Sequence, residues 1–303
     1  MKTYDDLEER WRLCNGGQIL VDGTHPLKMY LNVNDEGHRE LLIPVRSSIT
    51  NFQSTEAIDV KNYKSGNNIF FAIELLNENL SREYTYLCFD LIESSRKESK
   101  MDDALKALIV TFKKWYAIMN RVRREILPEE ELRGLMGELK FAIDSICAGR
   151  NPEEVVGAWT IHKDAARDFI FDNDWYEIKT VTSSKDYITI SSVEQLQHDC
   201  DGHLMVYRLD KCETGNGINI NNLVEQLREM LDSDVEAILN RVLLSKGYVT
   251  NDAYGKYAYV FSNEQKYIVN DTFPRIARES IPDAVIAARY DINIRSIADW
   301  REE

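Results

Sequence analysis

The segment "DFIFDNDWYEIKTV", residues 168–181, constrains the fold more than any other stretch of this chain. Charged and apolar residues alternate in it with the two-residue period of a strand, on either side of an Asp/Asn cluster, and this pattern predicts an antiparallel hairpin. A two-residue turn at Asn173 and Asp174, with Asn suited to positive φ, sets Asp168 opposite Lys179 and Ile170 opposite Glu177. Phe169, Phe171, Tyr176 and Ile178 then share one face, and Asp168, Glu177 and Lys179 share the other. Two carboxylates and an ammonium on one face of a buried hairpin are costly unless they pair or bind an ion. Carboxylate oxygens suit a hard divalent cation such as Mg²⁺, which lowers the pKa of a bound water and polarises a phosphate. Lys179 would sit near that water, positioning it and stabilising developing charge.

A third carboxylate precedes the hairpin. "PEEELRGLMGELKFAIDSICAG" has Pro128 at its first turn, acids near its start and Gly149 at its end, which predicts a helix. Leu132, Leu135, Met136, Leu139, Ile143 and Ile146 form its buried stripe, and Glu138 lies at the edge of that stripe, able to look into a site. Gly134 and Ala142, one turn to either side, remove bulk around it. Asp172 and Asp174 belong to the turn, where Asp is favoured for local backbone bonding, and are left out of the site. Taken singly, Glu-x-Lys on a strand is usually an exposed face, and Glu138 alone is compatible with a surface position.

Three modules are expected: a β-rich N-terminal module over residues 1–100, a core over 101–215 and a C-terminal α/β region over 216–303. In the first, "LKMYLNVNDEGHRELLIPV" predicts a hairpin turning at Asn34 to Gly37, followed by strands at "AIDVKNY", "NIFFAIELL" and "EYTYLCFDLI". Helical periodicity takes over from Asp102 to about Ile126. Past the central hairpin, "DYITISS" and "HLMVYRL" read as strands and residues 219–245 as helix. A Tyr-rich β pair, "GYVTNDAYGKYAYVFSNEQKYIV", and a terminal helical segment close the chain.

The net charge of −14 argues against a protein that simply coats nucleic acid, because phosphate binding is driven by Lys and Arg. One basic stretch exists, with Lys106, Lys113, Lys114, Arg121, Arg123 and Arg124 opposed only by Glu125, although a solvated helix face explains it equally well. No signal peptide or 18-residue apolar run is present, so a cytoplasmic location without membrane association is expected. The 5 cysteines include no CxxC pair and fit reduced thiols. His198, Cys200, His203 and Cys212 fall close together, but their spacing matches none of the common zinc frameworks.

The order Glu138, Asp168, Glu177-x-Lys179 resembles the PD-(D/E)XK restriction-endonuclease-like superfamily, in which a helical acid precedes an Asp and a (D/E)-x-K on adjacent strands. The wider pattern, "RGLMGEL", then "AW" and "DF" before "YEIK", then "ISSVEQL", is similar to an uncharacterised bacterial PD-(D/E)XK motif family associated with restriction and phage-defence gene neighbourhoods. The closer match spans about residues 130–200. Ala166-Arg167 stands where a Pro often precedes the Asp. The resemblance implies an α+β or α/β restriction-endonuclease-like core, a mixed sheet flanked by helices. It implies Mg²⁺-dependent hydrolysis of DNA, with Mn²⁺ able to substitute, in a restriction or anti-phage defence system with other defence proteins as partners. It assigns Glu138, Asp168 and Glu177 to the metal, Lys179 to the water, and Gln195 to the vicinity of either. Lys163, Arg167 and Lys185 flank the motif as candidates for phosphate contact, although solvent exposure also explains each. Cutting both strands needs two sites and so predicts a homodimer. The acidic charge keeps open a second reading, a nuclease fold used as a non-catalytic scaffold or binding subunit.

Overall fold

The computed structural model describes residues 4–14, 17–119, 126–160, 167–197, 200–213 and 215–302. The chain divides into two compact units, Met1–Ile126 with Leu239–Thr250, and Leu127–Ile238 with Asn251–Glu303.

The first unit contains α1 (Tyr4–Leu13), β1 (Ile19–Leu20), β2 (Tyr30–Val33), β3 (Arg39–Val45), β4 (Ile58–Ser65), β5 (Asn68–Leu75), α2 (Ser81–Arg96) and α3 (Met101–Met119). Its strands form an antiparallel sheet in the order β1-β2-β3-β5-β4. The expected turn at Asn34 to Gly37 forms: the Asn34 side chain accepts from the backbone N–H of Glu36 and His38, and Gly37 takes the positive φ of 87° that the reversal requires. "EYTYLCFDLI" is not a strand but the body of α2. Its Tyr, Phe and Thr content favours strands, yet Tyr84, Leu87, Cys88, Leu91, Ile92 and Ser95 are all buried, which is the helical spacing of three and four. Tyr84 also ties the helix to the sheet, its hydroxyl donating to Ile73 O at 2.6 Å and accepting from Leu41 N at 2.9 Å.

The second unit follows with α4 (Glu129–Cys147), α5 (Pro152–Ala158), β6 (Phe169–Ile170), β7 (Trp175–Val181), β8 (Tyr187–Ile190), β9 (Gly202–Cys212), α6 (Ile220–Arg228), α7 (Ser233–Ser245, which runs across the division), β10 (Ala258–Val269), β11 (Tyr290–Asn293) and β12 (Arg301–Glu302). The sheet order is β12-β10-β9-β7-β6, mixed because β7 and β9 run parallel while the other pairs are antiparallel. β8 and β11 form a separate two-stranded sheet. The Tyr-rich segment supplies one strand, β10, rather than a pair. Asn251 caps a short 3-10 turn at Asp252–Lys256 in place of the other strand. The terminal helical segment is a strand, a 3-10 stretch over Ile294–Trp300 and the short β12.

The two faces of β7 have different neighbours. α4 lies on the face of Ile178 and Thr180, so close that a Cβ on Gly137 would stand 2.1 Å from Thr180 Oγ1. The face of Trp175 and Val181 joins a core with Ile188, Ile190, Leu204, Val206, Ile292 and Ile297. Glu177 and Lys179 lie on this second face by strand alternation. No helix among the described residues is long and apolar enough to cross a membrane.

Candidate active site

The hairpin forms with a register two residues away from the expected one. Phe169 pairs with Tyr176 and Ile170 with Trp175, so the turn is made by Asp172 and Asn173, closed by Phe171 N–H donating to Asp174 O at 2.8 Å. Among the described residues no non-glycine residue has positive φ, so the turn that would use Asn173 in that conformation does not arise. Asp174 is instead held by Arg150, whose Nη2 lies 2.7 Å from Asp174 Oδ2 and whose guanidinium sits 4.1 Å from the Phe171 ring centre. A slip of two residues keeps every side chain on its face. Continuing the ladder sets Asp168 beside Glu177 rather than Lys179, and Asp168 Oδ2 accepts from Ile178 N at 2.8 Å.

Around that ladder the charged groups gather. Glu177 is 1% exposed, and Lys179 Nζ lies 2.6 Å from its Oε1. The same Nζ donates to Gln195 Oε1 at 3.3 Å, and that oxygen also accepts from Ser191 N at 2.7 Å. Gln195 sits on a short 3-10 helix, Val193–Leu196, whose buried Val193 and Leu196 anchor it after β8. Glu138, half-buried on α4, accepts from Trp159 Nε1 at 2.6 Å. Burial first, and then the adjacent Asp168 charge, push the Glu177 carboxyl up to about 8, with Lys179 offsetting part of the rise and Glu138 adding to it. Burial pulls the Lys179 ammonium down, but Glu177, Asp168 and Glu138 outweigh it and hold it above the ordinary lysine value.

A family model described as "Putative PD-(D/E)XK family member, (DUF4420)" matches residues 2–295, nearly the whole chain. The chain belongs to this DUF4420 family. Its helices and mixed sheets agree with the restriction-endonuclease-like fold of PD-(D/E)XK proteins. No curated protein and no solved structure matches the chain.

The donor set fits the divalent cation that PD-(D/E)XK proteins use. Glu177 Oε2 is buried and has no hydrogen-bond partner, and the charge of Asp168 acts on the same carboxyl group. An unsatisfied buried carboxylate oxygen is costly, and a hard cation is the partner that relieves it. Among the described residues, the grouping whose three ligand atoms fall within 4.8 Å of one another is a different one, Glu36, His38 and Glu74 in the first unit. There Glu74 is already bonded by Lys61, His38 and Asn34, so its charge is satisfied within the protein.

The remaining sequence candidates separate. Arg167 donates to Glu194 O at 2.9 Å and covers the Trp175 ring at 4.9 Å, next to Asp168. Lys185 Nζ sits 4.4 Å over the exposed Tyr187 ring. Lys163 and His198 lie outside the described residues, as do Arg121, Arg123 and Arg124 of the basic stretch. His203 and Cys212 stand at opposite ends of β9, and His203 stacks on Tyr176 and pairs with Glu302, so the two share no zinc site. Gly134 faces open space, and the close approach to the strand is made by Gly137, the residue before Glu138. Sequence reasoning missed Trp159 as a partner of Glu138, although "AW" stood out in the pattern.

Proposed function

We propose that this DUF4420 chain is a Mg²⁺-dependent DNA endonuclease, with Mn²⁺ able to substitute, and the nuclease subunit of a bacterial restriction or anti-phage defence system. The observation that carries the reading is the buried, unpartnered Glu177 Oε2 next to Asp168, with the Lys179 ammonium on the other Glu177 oxygen. Glu138, Asp168 and Glu177 would hold the cation. When bound, a divalent cation acidifies a water and polarises the scissile phosphate. Lys179, kept an ammonium by its acid neighbours, serves as a hydrogen-bond donor to the attacking water and the developing oxyanion, not as a base. Gln195 holds Lys179 Nζ in place through Oε1, itself fixed by Ser191 N. Arg167, beside Asp168, and Lys185, together with Lys163, are proposed to contact DNA phosphates, and a homodimer would supply the second site for cutting both strands.

The net charge of −14 favours a second reading, a nuclease fold whose DNA affinity depends on a partner of the same defence system. Incubation of the purified chain with plasmid and Mg²⁺ or Mn²⁺, beside Lys179→Ala and Asp168→Ala, tests the first. Cation-dependent nicking lost in both variants is expected. Cleavage that survives both sinks the site, and cation binding without cleavage supports the second reading.

A further inference from the structure

The residues just after α5 touch both acid-bearing elements. Trp159, 2% exposed, stacks on Phe169 with ring centres 5.2 Å apart, and its backbone forms an isolated bridge with Phe169, the neighbour of Asp168. The next residue, Thr160, donates its N–H to Asp168 O at 2.9 Å and its hydroxyl to Arg167 O at 2.7 Å. From this braced position the Trp159 indole Nε1 donates to Glu138 Oε2 at 2.6 Å.

An indole N–H is a donor only, and a short bond to a carboxylate is charge-assisted and directional. A glutamate on a helix otherwise has several rotamers to sample, and fixing it on binding costs affinity. A carboxylate held by an outer partner is already in place for a cation, and outer partners of metal ligands typically contribute about 10- to 100-fold in affinity or activity. We propose that Trp159 is a positioning residue whose indole N–H orients the Glu138 carboxylate toward the divalent-cation site, an inference that rests on the nuclease reading above. It couples the helical acid to the residue preceding β6, Asp168, so the two acids are set by one rigid aromatic bridge.

Trp159→Phe keeps a ring to stack on Phe169 and removes the donor, together with some buried ring volume whose loss the Glu138→Ala background separates out. Titration of the full chain with Mn²⁺ is expected to show roughly 10-fold weaker binding in Trp159→Phe than in the wild type. The same substitution made in a Glu138→Ala background should have no further effect, because its target is gone. A purely structural role predicts the same loss in both backgrounds and overturns the proposal. So does wild-type affinity in Trp159→Phe when Asp168→Asn loses binding, an outcome that leaves the nuclease reading standing. Absence of Mn²⁺ binding by the wild type overturns both. A measurement on the unaltered protein covers the case in which Trp159→Phe fails to fold. The Trp159 indole N–H proton resonance should move with the Mg²⁺ binding curve, and a resonance that stays fixed at saturation refutes the coupling.

Discussion

Replacing Asp168 with Asn should weaken the fall in stability of the cation-free protein between pH 4.5 and 8 while abolishing its response to cation. Glu177 is pushed from 4.5 to about 8 in the folded state. Between those values the folded protein keeps a proton that the unfolded chain has released, so stability falls as pH rises through that window. At about 1.4 kcal/mol per unit, the cost reaches about 3 kcal/mol at pH 7 as an upper bound. Lys179, raised above its ordinary value, contributes evenly throughout this window, because its own loss begins only above the unfolded lysine value. Asp168 is the largest cause of the Glu177 shift after burial, and Asn keeps an oxygen to accept from Ile178 N. Asp168→Asn also loses its attraction to Lys179, alike at both pH values, so the difference from the wild type is expected to be about 1 kcal/mol more favourable at pH 7–8 than at pH 4.5, roughly 2–4 °C for a unit of this size. Calorimetry in EDTA at both pH values reads this directly, and added Mg²⁺ should raise the melting temperature of the wild type alone. A variant that is equally destabilised at both pH values would refute the like-charge argument.

Lys179→Met leaves Glu177 buried among acids and should cost about 3 kcal/mol in urea denaturation, with Glu177→Gln in the same chain recovering at least half. Gly137→Ala pushes a methyl group to 2.1 Å from Thr180 Oγ1 and should destabilise by about 2 kcal/mol, relieved by Thr180→Ala. Gly134→Ala, on the same helix but with open space around it, should stabilise by about 0.5–1 kcal/mol and leave cation binding unchanged, as read by thermal denaturation and Mn²⁺ titration.

What was legible in the sequence was whatever period fixes. The separation of Phe169, Phe171, Tyr176 and Ile178 from Asp168, Glu177 and Lys179 follows from strand alternation, and it survives the register shift because that shift is even. The shift itself was hidden, since the turn is set by Arg150, in the loop between α4 and α5, holding Asp174. α2 was misread because its Tyr, Phe and Thr residues favour strands, while the spacing of Tyr84, Leu87, Leu91 and Ser95 carried the better signal. Gly134 and Gly137 look equivalent as letters. The clue was that Gly137 falls between the buried Met136 and Leu139, on the side of the helix that meets β7. The Trp159–Glu138 bond joins residues 21 apart across two elements, and no local pattern announces it. The cluster of Glu36, His38 and Glu74 was likewise invisible until the β3–β5 pairing brought its members together.

The central claim, that Asp168 and Glu177 form a divalent-cation centre, is tested most directly by anomalous diffraction from crystals of the wild-type chain soaked in Mn²⁺. The account predicts an anomalous peak within coordination distance of Glu177 Oε2 and Asp168, absent in Asp168→Asn crystals. Saturating Mn²⁺ that leaves no peak there, with Glu177 still paired only to Lys179, would contradict it.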